Sequence, residues 1–186
     1  MTSPQNMRRA PKRFLVNEKG VAGVEFALIL PLMLTFYFGT FEVTQALSCN
    51  RQVALTASTV TNLVSQYTTI SQGSQMPDIL AASAKVLAPY PVGPAKVVVS
   101  GIIVDGKGAN PTVQWSVPYN GGAALVTGAA VTLPTGLTLA PNSMVILGQT
   151  SYAYTAPVQF IKLGTWNLSS NVYMLPRAST TITLAP

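Results

Sequence analysis

The pattern of hydrophobic and polar residues divides the chain into segments of different composition and periodicity. Residues 1–19 are polar and basic, and the composition changes abruptly at Gly20. The next 21 residues, Val21–Phe41, are apolar apart from Glu25 and a few small or hydroxyl-bearing residues. At about 1.5 Å of rise per residue, a helix of this length spans about 30 Å, which is the thickness of the hydrocarbon core of a bilayer. The pattern therefore predicts a membrane helix.

Beyond the apolar segment, the spacing of apolar positions remains helical. Two interleaved series, each with a period of seven residues, form a largely apolar stripe that only Asn50 interrupts. We expect the helix to continue to about Thr69 and its outer half to pack against the rest of the chain. The stripe consists of Val43, Ala46, Asn50, Val53, Ala57, Val60, Val64 and Tyr67.

A second, shorter helix is predicted after this stripe. Pro77 in a first turn and Asp78 beside it are favourable signals for the start of a helix. Prolines from Pro89 onward mark its end. The residues expected on its buried side are Ile79, Leu80, Ser83, Val86 and Leu87.

From Lys96 the pattern changes to that of β-strands. The run 96–104 is rich in β-branched residues, and the run 111–119 is its natural hairpin partner. A third strand is expected at 143–156 and a last, Thr-rich one at 179–184, with a long Gly-rich loop over 121–141. The predicted fold class is therefore α+β: a long amino-terminal transmembrane and amphipathic helix packed on a small antiparallel sheet of three or four strands.

The basic charge of the chain is concentrated at its amino end. The formal net charge is +6, and residues 1–19 contribute five basic residues and one acid. Basic residues next to an apolar segment stay on the cytoplasmic side, so the amino end is predicted inside and the carboxyl end outside. The high isoelectric point reflects this short segment, and we expect no nucleic-acid partner.

The composition offers little catalytic chemistry. Charged residues make up only 9% of the chain, there is no histidine, and there is one cysteine. Histidine-based acid–base chemistry, a zinc site and an intrachain disulfide are thereby excluded. After the basic segment there are four acids, of which Asp78 is predicted to start a helix and Asp105 to form a turn. We expect no catalytic residue, no metal, no cofactor and no small-molecule substrate, and hence no enzyme.

The apolar segment has two alternative interpretations, a secretory signal peptide and a lipoprotein signal. A secretory signal has a shorter apolar core followed by a small-residue cleavage site. The residues before Cys49 are similar to a lipoprotein box, but Ala46 stands where Leu is usual and Glu42 interrupts the apolar core. Cys49 is more simply interpreted as a small apolar residue on a helix face.

The string GVAGVEFALILPLML resembles the amino end of TadE-like minor pilins of tight-adherence (Flp-type) pilus systems. Members of that family have a basic leader, a Gly, a Glu five residues later, an aromatic residue, and an apolar run with Pro-Leu. The matching residues here are Gly20, Glu25, Phe26, Pro31 and Leu32. The aromatic residue is Phe, where the major pilin usually has Tyr, so the resemblance favours a minor pilin.

The resemblance is specific over residues 18–47 and loose over 90–186. The segment FGTFEVTQAL is similar to the part that closes the family's helix, and SYAYTAPV and MLPRAS are similar to its late strand and Pro-Arg pair. A pilin-like domain organisation is implied, with a cytoplasmic leader at 1–20, a transmembrane segment at 21–47 and an extracytoplasmic domain at 48–186.

The resemblance also implies a mechanism. A prepilin peptidase in the membrane would cut after Gly20 and make Val21 the new amino terminus. Glu25 and Phe26 would then act in assembly, with Glu25 facing the terminal amine of a neighbouring subunit. A carboxylate costs about 2.5–3.5 kcal/mol at the centre of a membrane helix, less near the interface, so a cation partner is physically reasonable. The alternative is that Glu25 simply reaches the cytoplasmic interface.

Three functions remain open at this stage. The first is a minor pilin in the bacterial inner membrane, with a periplasmic domain, that joins other pilins and the pilus machinery in a cell-surface pilus used in cell adhesion. The second is an unprocessed single-pass membrane protein whose periplasmic domain binds an envelope component. The third is an anchored enzyme.

Overall fold

The computed structural model describes residues 18–158 and 164–186, with side chains from Val21 onward. Most of the predicted leader, residues 1–17, therefore lies outside the described residues. The chain then forms one continuous helix, α1, over Glu18–Ser65, with Pro31 inside it. The predicted end at Thr69 is slightly too late, because Thr69 begins the short strand β1.

Helix α1 has two halves with different surroundings. Residues 21–41 are exposed or half-exposed, whereas from Glu42 onward one face of the helix is buried against the domain. The buried face includes Ala46, Val53, Ala57, Val60 and Val64 of the predicted stripe.

Two members of the predicted stripe were placed wrongly. Val43 is 44% exposed, and Asn50 is exposed as well. Their neighbours Glu42 and Cys49 are buried instead. A strict repeat of seven drifts by about 20° per repeat around a straight helix, so the buried face moves to an adjacent position over several turns.

The remaining elements follow α1 in the order β1, α2, a 3-10 turn, and β2 to β6. Helix α2 begins two residues before the predicted Pro77. The bounds are Thr69–Ser71 for β1, Gln75–Ala84 for α2, Lys85–Leu87 for the 3-10 turn, Ala95–Ile103 for β2, Thr112–Tyr119 for β3, Met144–Thr155 for β4, Thr165–Met174 for β5 and Thr183–Ala185 for β6.

Strands β2 to β5 form an antiparallel sheet in the order β3-β2-β4-β5. The predicted β2–β3 hairpin and the strand β4 are confirmed, and so is the α+β architecture. The fourth strand is β5, which lies outside the runs from which strands are predicted. The predicted last strand over 179–184 is reduced to Thr183–Ala185, which pairs in parallel with β1.

The sheet lies between α1 and α2 on one side and a long loop on the other. Helix α1 packs against β4 and β5, and α2 packs against β2 and β3. On the opposite side, the predicted loop folds its leucines over Ile102, Val145 and Leu147. These leucines are Leu125, Leu133, Leu137 and Leu139. Helix α1 is therefore held firmly by the sheet from Glu42 onward and is exposed before it.

Candidate membrane and assembly interface

The predicted processing position lies in the first turn of α1. Gly20 is the third residue of the helix, and Val21 follows it with 53% of its surface exposed. Neither residue touches the folded domain, which begins to cover the helix only at Glu42. The Gly20–Val21 bond therefore lies far along the helix from the sheet.

Glu25 and Phe26 lie on the exposed half of α1. Glu25 is exposed, and Phe26 is 61% exposed. At about 1.5 Å per residue, Glu25 lies about 25 Å along the helix axis from Glu42. The structure thus brings Glu25 close to no residue of the domain. Since residues four apart share a helix face, Glu25 lies one turn beyond Val21 on the same side.

Among the described residues, one helix is long and apolar enough to cross a membrane, and its most apolar window is not buried at all. This window belongs to the first half of α1, whose large side chains face outward. The exposed ones include Leu28, Phe36, Tyr37 and Phe41. An apolar surface of this size requires lipid or protein partners.

The junction between the exposed helix and the domain contains no linker. Phe41 is 41% exposed, whereas the next residue, Glu42, is only 1% exposed. A small cleft with about 10 Å³ of free volume lies beside Glu42. It is lined by Tyr154 and Ala156 at the end of β4 and by Gly164 and Trp166 at the start of β5. The end of the β4–β5 hairpin therefore covers the first buried turn of the helix.

Aromatic side chains reinforce this junction. The ring of Tyr90 makes edge contacts with Tyr152 and Tyr154, at centroid distances of 6.5 and 6.3 Å. The Tyr90 hydroxyl also donates to the backbone carbonyl of Gln45 at 3.1 Å. The SYAYT string supplies Tyr152 and Tyr154, and its pattern by itself predicts only a strand.

Cys49 packs in the same cluster and is fully buried. Burial raises the pKa of the Cys49 thiol to about 11. Burial also raises the pKa values of Tyr152 and Tyr154. A thiol that stays protonated at neutral pH is a poor nucleophile, so Cys49 acts here as an apolar core residue. The sequence interpretation of Cys49 as a residue on a helix face agrees with this position.

Strand β5 forms one edge of the four-stranded sheet. Its ten residues, Thr165–Met174, contain no charge and no proline. Charges and prolines are the usual features that protect an edge strand from pairing with another chain. The opposite edge is better protected, because the backbone of Val113 in β3 bonds to Gly128 and Ala129 of the loop. Among the described residues no strand pairs with the outer edge of β5, so a further strand can add to this open edge.

The outer face of the sheet carries an open groove of about 380 Å³, and its polar lining includes Lys96, Gln149, Ser169 and Asn171. Within residues 18–158 and 164–186, no group of three or more His, Cys, Asp or Glu side chains is placed to hold a metal ion.

Asp105 serves the β2–β3 turn, as its place in the sequence predicts. Its carboxylate accepts hydrogen bonds from the backbone N–H groups of Lys107 and Ala109 and from the Asn110 side chain. These bonds, with that from Ala109 strongest, lower the pKa of Asp105.

One comparison with known proteins decides the family resemblance. Residues 20–61 match the family model described as TadE-like protein. The helix is TadE-like. The match begins at Gly20, includes Glu25, Phe26 and Pro31, and ends inside the buried half of α1. No curated protein and no solved structure matches the chain. The match covers 42 of the 186 residues and confirms, over these residues, the resemblance that the sequence motifs indicated.

Proposed function

We propose that this TadE-like chain is a minor pilin, or pseudopilin, that is inserted in the bacterial inner membrane and takes part in assembly of a tight-adherence pilus. The observation that carries the proposal is the form of α1. The first half of this helix is an exposed apolar span of membrane length, and the same helix packs against the sheet from Glu42 onward. The TadE-like match covers both halves of this helix.

In this proposal a prepilin peptidase cuts after Gly20 and leaves Val21 as the amino terminus. Gly20 is small, so it fits before a bond that must enter a narrow active site. The Gly20–Val21 bond also lies far from the domain, which leaves it accessible in the plane of the cytoplasmic interface. The basic residues of the leader, such as Arg8 and Lys19, keep that end in the cytoplasm.

Glu25 then acts in assembly. Because the domain supplies no partner for it, a carboxylate within lipid gains most from a cation on another subunit. The α-amine that cleavage creates on a neighbouring chain is such a cation. Phe26, exposed beside it, adds apolar contact area between adjacent helices.

The domain that follows the membrane segment is proposed to lie in the periplasm and to contact other pilins and the assembly machinery. The open edge of β5 supports this, since it offers backbone groups to a partner strand. The proposal is of a structural protein and includes no catalysis, no cofactor, no small-molecule substrate and no nucleic acid.

Three variants test the proposal: Gly20→Val, Glu25→Ala, and the matched control Gly23→Ala. Gly23 lies one turn from Gly20, and a Cβ atom there meets nothing within 4 Å. The mass of each purified protein reports cleavage, and its recovery in sheared pili reports assembly.

We expect Gly20→Val to keep the leader and therefore to be heavier, while Gly23→Ala is cleaved and assembled like the parent. Glu25→Ala should be cleaved and should insert at least as well, since an acid opposes insertion, but it should be absent from sheared pili. If Gly20→Val and Glu25→Ala both match the parent in mass and in recovery from sheared pili, the roles given to Gly20 and Glu25 are wrong and the proposal fails. If the parent itself keeps the leader and is absent from sheared pili, the unprocessed single-pass protein is the better interpretation.

A further inference from the structure

We propose that the end of the β4–β5 hairpin is a second membrane-contact surface, which rests on the lipid interface at the outer side of the bilayer. The hairpin end comprises Ala156, Val158, Gly164 and Trp166, with the buried Tyr154 beneath them. This inference depends on the membrane insertion of α1 proposed above, and it concerns how the domain is placed relative to that membrane.

The hairpin end lies at the level of Glu42 along α1. Tyr154 and Trp166 line the same small cleft as Glu42. Glu42 is only one helical residue, about 1.5 Å, beyond Phe41, which ends the apolar span. If Val21–Phe41 fills the hydrocarbon core, the hairpin end lies at the boundary between hydrocarbon and headgroups.

The direction of β4 along α1 brings the hairpin end toward the membrane. A Cβ atom on Gly148 in the middle of β4 would lie 2.9 Å from the carbonyl oxygen of Ala57. Further along β4, Tyr152 and Tyr154 pack with Ala46 and Cys49. Strand β4 therefore runs antiparallel to α1 and approaches the membrane as it proceeds toward Thr155. The hairpin end is consequently the part of the sheet nearest to the bilayer.

The side chains of the hairpin end suit a lipid interface. Trp166 is half-buried, and Val158 is 46% exposed. No side chain in the described residues 155–158 and 164–168 is charged. Tryptophan and tyrosine favour the boundary between hydrocarbon and water, where an apolar ring and a polar group are both satisfied. The nearby Tyr90 hydroxyl, bonded to Gln45, fits the same boundary.

The hairpin end also separates Glu42 from lipid. This carboxylate follows directly after the apolar span, where lipid would otherwise surround it. Tyr154, Ala156, Gly164 and Trp166 enclose it instead. Because α1 is continuous through the junction, the domain cannot move away from the bilayer on a flexible linker. A subunit drawn out of the membrane would therefore have to bring Trp166 out of the lipid interface.

The two tryptophans of the chain allow a direct test. Trp115 is buried in the core and donates its indole N–H to the carbonyl of Ile182 at 3.0 Å. Full-length protein is reconstituted in phosphatidylcholine vesicles whose acyl chains are brominated either near the headgroup or near the methyl end, because bromine quenches tryptophan on contact. Parent protein is compared with Trp166→Phe, in which only Trp115 emits.

We expect shallow bromines to quench the parent several-fold more than they quench Trp166→Phe, and deep bromines to have a weaker effect. Equal and negligible quenching of both proteins would overturn the membrane contact. The comparison does not require any change at Trp115, whose loss could disturb the core.

A third protein separates this inference from the proposed function. In the Trp166→Phe background, Phe36→Trp places a tryptophan on the exposed apolar half of α1, where Phe36 is 68% exposed. Quenching of this tryptophan without quenching of Trp166 would leave the membrane span intact and refute only the hairpin contact. If neither is quenched, the span is not in the bilayer, and both proposals fall.

Discussion

Gly148 of β4 lies directly against Thr61 of α1, so that a Cβ atom on Gly148 would collide with the Thr61 hydroxyl oxygen and lie 2.9 Å from the carbonyl oxygen of Ala57. The Thr61 hydroxyl donates to that same carbonyl at 2.6 Å and is held in place by this bond. Helix and strand can approach this closely only because position 148 has no side chain. The contact fixes how the outer half of α1 lies on the sheet.

We predict that Gly148→Ala destabilises the domain by about 1–3 kcal/mol, because the added methyl group overpacks the helix–sheet contact. Urea unfolding of the detergent-solubilised protein measures the change. Gly73→Ala is the control, since a Cβ atom there meets nothing within 4 Å. Adding Thr61→Ala to Gly148→Ala should recover part of the loss. A fully stable Gly148→Ala protein would mean that the helix is not seated as described.

A second prediction concerns the turn after β3. Asn120 adopts a positive φ of 51°. Its side-chain amide donates to the carbonyls of Val92, Gly93 and Ala95. Asn120→Gly keeps the backbone conformation accessible but loses these bonds, at a cost of about 1 kcal/mol.

Asn120→Asp should cost more than Asn120→Gly, because it places a carboxylate opposite three carbonyl oxygens. The free energies of unfolding of the two variants test this order. A smaller loss for Asp than for Gly would contradict the assignment of the side-chain nitrogen as the donor.

The buried thiol offers a third prediction. Cys49 has no exposed surface, and burial raises its pKa to about 11. We expect iodoacetamide to modify it at pH 8 only after the domain is unfolded, as followed by mass. The matched control is the double variant Ser48→Cys/Cys49→Ala, which moves the thiol to the exposed neighbouring position and should react quickly. Rapid modification of Cys49 in the folded parent would show that α1 separates from the sheet readily.

A fourth prediction follows from the pKa values of the same cluster. The thiol of Cys49 and the hydroxyls of Tyr152 and Tyr154 have raised pKa values in the folded protein, chiefly because of burial. Above their unfolded pKa values the unfolded chain loses protons that the folded chain retains. Stability is therefore full below about pH 9 and decreases as the pH rises further.

Thermal unfolding between pH 7 and pH 11 measures this loss. Cys49→Ala removes one of the titrating groups and should make the decrease above pH 9 shallower. An unfolding temperature that stays constant up to pH 11 would argue against the burial of this cluster.

The fifth prediction concerns topology. The basic leader should hold the amino end in the cytoplasm, so a reporter fused after Pro186 should be active only on the outer side of the inner membrane. Neutral replacements at Arg8, Arg9, Lys12 and Arg13 should weaken this preference and give mixed orientation. Cytoplasmic activity of the parent fusion would end the pilin interpretation.

The sequence by itself determined the long helix, the second helix and the β2–β3 hairpin. Each of these is encoded in residues close together in the chain: the apolar run from Val21, the first-turn Pro77, and the β-branched residues after Lys96. It also determined the TadE-like motif around Gly20 and Glu25, because that motif is contiguous. Local patterns of this kind need no knowledge of distant contacts.

Only the tertiary structure decided that β5 is the fourth strand of the sheet. Its alternation of Trp166, Leu168 and Val172 is interrupted by Ser170, and the intervening positions are polar, which is acceptable because β5 is an edge strand that is only half-buried. The same holds for β6, whose three residues form a strand only because β1, more than a hundred residues earlier, lies beside them.

The tertiary structure also decided which face of α1 is buried. By spacing alone, Val43 and Asn50 were expected inside and Glu42 was an acid next to the membrane. The structure buries Glu42 beneath Tyr154 and Trp166, and no local pattern carries that information. A helical period selects a face only to within about one residue, and the contact with the hairpin end, over a hundred residues away, selects the residue that is enclosed.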